Sequence, residues 1–216
     1  PEPDPEVFDY DRWLGQAPWA PYSKVRVALW RNRWDTGAGV IADMGAHYFD
    51  FAQWAHDSEL SGPVEYQGTG VWPEGGLAEV PFSVDAEARY ADGVRLLMKN
   101  GDKGVRFDGD AGWIHLTDGG TITAEPESIL SARHVPRVDW AFMAGHVRNF
   151  LDSIKSRKLT AAHPELAHRA HTICHCANIC LRLGRKVRWN PETERFVDDP
   201  TADRMLARTP RPPWRV

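Results

Sequence analysis

The sequence predicts an α+β domain: a large, mainly antiparallel open sheet with about three helices packed on one face. Apolar residues recur at every second position through the middle of the chain, from Pro63 to Leu116, and turn dipeptides separate the runs. Later stretches place apolar residues every three to four positions, the spacing of a helix face. A length of 216 residues suffices for one substantial core and is short for two.

Residues 1–24 are rich in Pro and polar side chains and read as an irregular opening segment. Val25–Trp30 alternates weakly, as a short strand would. Gly37-Ala38-Gly39 then breaks the chain, and Val40–His56 carries helical periodicity. Val64–Tyr66, Val84–Tyr90, Val94–Met98 and Val105–Phe107 read as strands, with Asp92-Gly93 as a hairpin turn between the second and third. Gly101-Asp102, Asp108-Gly109 and Gly119-Gly120 mark further turns. Trp140–Lys155 is expected as a helix with Met143, Val147, Phe150, Leu151 and Ile154 on one stripe. Pro164–Leu183 repeats the pattern with Leu166, Ala170, Ile173, Ala177 and Leu181, and Gly184 supplies a stop. The domain proper thus spans 25–188, and 189–216, rich in Pro and Arg, reads as a tail extended over the surface.

Composition excludes several classes of function. A net charge of −4 without a Lys/Arg cluster gives no footprint for nucleic acid, and no apolar run approaches a membrane span. The chain begins Pro1-Glu2-Pro3-Asp4-Pro5 without Met, which places the natural N-terminus elsewhere and leaves localisation unread. The three cysteines, Cys174, Cys176 and Cys180, crowd into one helix, so reduced thiols are expected rather than a disulfide framework. Ten tryptophans are the compositional outlier. Most are expected to pack the core, and two or three to line a site where indole faces meet a sugar ring.

The chemistry concentrates in the helix after Gly39. At about 100° per residue, Asp43, His47, Asp50 and Trp54 share one stripe, and Val40, Met44, Tyr48, Phe51 and Ala55 form a neighbouring apolar stripe expected to face the core. An imidazole moves protons near neutral pH, and a carboxylate one turn away orients it and supports its cation. Gly45 inside the helix suggests that a ligand or another backbone approaches closely there. Just before the helix, Arg31, Arg33 and Trp34 are candidate substrate contacts, because guanidinium forks suit hydroxyls and carboxylates; Asp50 joins them from the stripe. The same residues are equally compatible with a solvated helix face and core-plugging tryptophans.

Two further motifs read as accidental. Gly37-Ala38-Gly39-Val40-Ile41-Ala42 satisfies the dinucleotide fingerprint by letter, but polar Arg31–Thr36 stands where an apolar strand should enter. His171 and His175 have the spacing of a helical metal pair, but Cys174 and Cys176 point about 200° apart and could not complete one site.

The string Gly37-x-Gly39-(x)3-Asp43-x-Gly45-x-His47-(x)2-Asp50 resembles the signature of the glucose–fructose oxidoreductase, inositol dehydrogenase and MocA (Gfo/Idh/MocA) family. Tyr10-Asp11-x-Trp13-Leu14-Gly15-x-Ala17-Pro18 is similar to the segment that enters that family's second domain. His146–Ile154 resembles its next helix; Ala167-His168-Arg169, Asn178 and Leu183–Lys186 the one after; Arg211-x-Pro213-Trp214 its tail. The resemblance implies an α/β substrate domain whose open sheet face mediates homo-oligomers, paired with a Rossmann domain that binds NAD or NADP. It also implies that His47 accepts a proton from the hydroxyl of a sugar-like substrate. Asp43 would orient substrate and imidazole, and a Lys from a Glu-Lys-Pro string would assist. Neither the Rossmann domain nor that string occurs in these residues, and Ala38 stands where the family often has a third Gly. An isolated fragment of this kind is expected to be inactive. The alternatives that remain are a non-catalytic carbohydrate-binding or assembly domain of the same ancestry, and a cofactor-cycling lyase, isomerase or glycosidase.

Overall fold

Local capping decides the first elements of the computed structural model, which describes residues 2–101, 103–131 and 143–214. The opening segment contains a short helix, α1 (Tyr10–Leu14), because the Asp9 carboxylate accepts the Arg12 backbone N–H at 3.0 Å and Tyr10 and Leu14 are buried. Where the alternation of Val25–Trp30 suggested a strand, the chain forms helix α2 (Lys24–Ala28) and a 3-10 turn, Trp30–Asn32. The Ser23 hydroxyl caps α2 by accepting the Arg26 N–H, and that cap prevails over a weak two-residue alternation.

Helix α3 (Gly39–Ala55) follows, then strands β1 (Glu65–Val71), β2 (Ser83–Arg89), β3 (Arg95–Lys99), β4 (Gly104–Gly109), β5 (Gly112–Thr117) and β6 (Ile122–Glu125). A 3-10 turn, Glu127–Ser131, leads on to helices α4 (Met143–Ser156) and α5 (Pro164–Leu183). Strands β7 (Val187–Asn190) and β8 (Arg195–Phe196) and helix α6 (Pro200–Asp203) complete the order. All pairings are antiparallel, so the predicted α+β class holds, with the strands divided between two sheets: β3-β2-β1-β7-β8 and β4-β5-β6. The Asp92-Gly93 turn joins β2 and β3, with Gly93 at φ 96° and the Tyr90 N–H on the Val94 carbonyl at 2.9 Å.

One face of the larger sheet carries buried Tyr66, Val84, Ala86, Ala88 and Met98; the other carries Asp85, Glu87, Arg95, Leu97 and Lys99. Helix α5 lies on the buried face, and α3 lies against α5. The helix α5 is therefore buried almost all round from Ile173 to Leu181, a wider face than the stripe read from the sequence. Cys174, Cys176 and Cys180 are free and buried within it; burial pushes the thiols of Cys174 and Cys180 up to about 12 and about 11.

Three expectations need correction. The apolar stripe of α3 faces the core only in part: Tyr48 packs against it, but Val40 and Phe51 are exposed, and the fully buried positions include Ile41, Gly45, Phe49, Ala52 and Gln53. Helix α4 is present, but Val147, Phe150, Leu151 and Ile154 lie exposed, so α3 and α5 form the helical layer on the sheet. The first residues expected in that helix, 140–142, lie outside the described residues. The tail is not wholly extended, because Trp189 and Phe196 bury their rings against each other at 5.0 Å and Asp199 caps α6. Its end folds back on the opening segment, where Arg211 reaches the Asp11 carboxylate at 2.7 Å and the Gly15 carbonyl at 3.0 Å.

Candidate functional site

Both ends of α3 are pinned to distant parts of the chain. At its start, Ala38 adopts a left-handed conformation, and the Asn178 amide of α5 donates to its carbonyl at 2.8 Å inside the core. At its end, buried Gln53 receives the Tyr90 hydroxyl at 2.6 Å and donates to the carbonyls of Ser58 and Ser61 at 2.9 Å. His56 adds a contact to the hairpin, its Nε2 lying 2.9 Å from the Asp92 carboxylate. A helix fixed in this way can hold polar residues on an open face without relying on that face for stability.

The open face carries the predicted stripe. Asp43 is partly buried, whereas His47, Asp50 and Trp54 are exposed along the same side of α3. Asp43 is held by Arg31, whose Nε lies 3.0 Å away and whose guanidinium rests over the Trp30 ring at 4.7 Å. Arg31 therefore fixes the Asp43 carboxylate through its Nε while its side chain stays more than half exposed. Desolvation raises the Asp50 carboxyl above its ordinary range, while the neighbouring imidazoles of His171 and His47 act against that rise. The structure thus brings His171 of α5 to the stripe. The sequence signalled His171 only as a possible metal partner of His175, whose ring lies 6.4 Å from it. Among the described residues no group of three or more His, Cys, Asp or Glu is arranged to hold a metal ion.

Arg33 and Trp34 sit apart from the stripe. Arg33 is largely buried, pairing with Glu79 at 2.6 Å and donating to the Leu77 carbonyl at 2.6 Å, so its role is to pin the loop. Trp34 borders two adjoining cavities. One, of about 480 Å³, is lined by Asp35, His168, His171, His175 and Arg208; the other, of about 530 Å³, by Asp35, Trp72, Glu79 and Arg182. Arg182 and Arg208 both lie over the Trp34 ring, 4.4 Å and 4.7 Å from its centre. His171 lines the first cavity and is near enough to Asp50 to influence its charge, which links that cavity to the open face of α3.

The glycines before α3 do not form a phosphate cradle. A Cβ at Gly37 would lie 2.5 Å from the Arg31 Cα and 2.6 Å from the Trp30 carbonyl oxygen, and one at Gly39 2.9 Å from Val80. The chain's own backbone and Val80 fill the space a pyrophosphate would need, and the Trp30–Asn32 turn replaces the required strand. Gly45 likewise makes room for a side chain, because a Cβ there would lie 2.8 Å from the Phe49 ring. No ligand is needed to explain it.

No curated protein matches the chain in sequence. Solved structures share its fold at low identity. The aldose-aldose oxidoreductase from Caulobacter crescentus complexed with glycerol superposes with a TM-score of 0.56 at 14% identity, over 74% of this chain and 50% of that one. The WlbA dehydrogenase from Bordetella pertussis, in complex with NADH and UDP-GlcNAcA, gives a TM-score of 0.56 at 11% identity, over 80% and 52%. An NAD-binding protein from Listeria innocua gives 0.53 at 15% identity, over 74% and 50%. The chain therefore spans about half the length of these structures. Over residues 1–216 it matches the family described as the oxidoreductase family, C-terminal alpha/beta domain. With that match over its whole length, the chain belongs to the Gfo/Idh/MocA oxidoreductase family as a C-terminal α/β domain.

Proposed function

We propose that this chain is the substrate-holding and proton-handling half of a nicotinamide-dependent oxidoreductase that acts on a sugar, polyol or sugar derivative. The observation that carries the proposal is the open face of α3, where His47 stands one turn from an Asp43 carboxylate already fixed by Arg31. In this reading His47 Nε2 or Nδ1 takes the proton of a substrate hydroxyl, Asp43 orients the substrate, and Asp50 with His171 polarises the far end of the site. NAD or NADP would carry the electrons. The turn at Gly37–Gly39, which carries the dinucleotide fingerprint by letter, does not fit a pyrophosphate, so it is not the cradle of that cofactor. Structural relatives crystallised with NADH, UDP-GlcNAcA and glycerol support the cofactor and the substrate class.

The test uses the full-length protein that contains this chain. Reduced-cofactor formation is followed spectrophotometrically over a panel of sugars and polyols, for wild type and His47→Ala. Turnover should fall by about two to four orders of magnitude, with cofactor affinity nearly unchanged. A folded His47→Ala protein with near-wild-type turnover would remove His47 from the mechanism and most of the oxidoreductase case with it.

The proposal extends to assembly through the outward face of the larger sheet. Val71 and Leu97 lie exposed there among the ion pairs of Glu87 with Arg89 and Arg95, a mixed surface suited to a second copy. Sedimentation of the full-length protein at high concentration checks this, and a persistent monomer would count against it.

A further inference from the structure

Among the described residues, the ionic partners around Trp34 leave one guanidinium without a carboxylate and another only loosely paired. Glu79 is committed to Arg33 at 2.6 Å and to the Trp34 N–H at 3.2 Å. Glu194 is committed to His168 at 2.6 Å and to Arg169 at 3.0 Å. Asp35 faces Arg208 at 3.6 Å, a looser contact. Among the described residues Arg182 pairs with no carboxylate; its guanidinium is held by indoles, 4.4 Å from the Trp34 centre and 5.9 Å from that of Trp72. Two guanidiniums thus share one indole: Arg208 lines the cavity of about 480 Å³ and Arg182 the adjoining one of about 530 Å³, Trp34 and Asp35 are common to both, and the volumes lie within the usual range for small-ligand sites. Desolvation lowers the proton affinity of Arg208; Asp35 raises it, and the nearby Arg182 lowers it again.

We propose that Arg182 and Arg208, held over Trp34, bind an oxyanion carried by the sugar or polyol ligand, either a carboxylate or a phosphate. A planar guanidinium presents paired donors that match both groups, and its stacking on indole keeps the fork in position before the ligand arrives. Trp72, which lines the second cavity and lies farther from Arg182, offers an apolar surface to the ring that bears the anion. The anion site rests on this cluster alone; its assignment to a substrate rests on the function proposed above.

Isothermal titration of the full-length protein compares glucuronate, glucose 6-phosphate, glucose and inorganic phosphate. At least one anionic sugar should bind tenfold or more tightly than glucose, with the difference shrinking as salt is added. Arg182→Gln and Arg208→Gln should each remove most of that preference while leaving glucose binding unchanged, and Arg182→Lys should keep part of it. Whichever of glucuronate and glucose 6-phosphate binds better identifies the anion. Equal binding of glucose and both anionic sugars overturns the inference, as does a folded Arg182→Gln protein that keeps the preference. Inorganic phosphate binding as tightly as glucose 6-phosphate overturns the sugar-linked part. The same titrations on His47→Ala separate the two proposals. Anion preference without turnover of any sugar would sink the oxidoreductase reading and leave this site standing. Turnover that depends on His47, without anion preference, would do the reverse.

Discussion

Helices α3 and α5 lie against each other and divide stability from chemistry. From Ile173 to Leu181 α5 is enclosed by the sheet on one side and α3 on another, so even its cysteines are buried. Helix α3 buries a narrow face of Ile41, Gly45, Phe49 and Ala52 and leaves the other open for Asp43, His47 and Asp50. An open face contributes little burial, so α3 is secured at its ends by Asn178 and Gln53. The contrast teaches that a helix can present costly polar groups when neighbouring elements supply its position.

Ile173→Ala tests the stability half of this contrast most severely. Ile173 is fully buried, and its truncation should cost about 2–5 kcal/mol in denaturant unfolding. His47→Ala should leave the unfolding free energy within about 0.5 kcal/mol of wild type. Similar losses for the two would mean that the open face of α3 carries stability after all. Gln53→Ala comes next, because it strands the buried Tyr90 hydroxyl and frees two carbonyls at the end of α3. A loss of about 1–3 kcal/mol is expected, and with it a drop in turnover if the pinned end positions the stripe.

The smallest effect concerns acid. Glu87 is drawn down from 4.5 to about 2 by its bonds to Arg95 and Arg89, and Asp199 from 3.8 to about 2, chiefly by Arg185. Carboxylates depressed in the folded state stabilise it above their unfolded values and lose that contribution as the pH falls through the folded ones. Melting temperature should therefore decline between about pH 4.5 and pH 2, and Asp199→Asn, whose amide oxygen can still cap α6, should flatten part of that decline. An unchanged pH profile in Asp199→Asn would assign the acid sensitivity elsewhere.

The sequence by itself determined what depends on near neighbours. Period-two alternation and the Asp92-Gly93 turn located β2 and β3, and the spacing of Asp43, His47 and Asp50 located the polar stripe on α3. Only the tertiary structure decided which faces are covered. The sequence assigned the core face of α3 to Val40, Met44, Tyr48, Phe51 and Ala55, whereas in the fold Ile41 and Phe49 enter the core and, of that stripe, Val40 and Phe51 are left exposed. Gln53 could not be read as buried, because its partner Tyr90 lies 37 residues away; Asn178 meets Ala38 across 140. The clearest apolar stripe, Val147 to Ile154 on α4, lies exposed, and the pairing of Arg31 with Asp43 was not legible from spacing. Periodicity reports that a face exists, because it is a property of one turn after the next. What covers that face, and which charge a given arginine meets, depends on contacts between segments that no local pattern encodes.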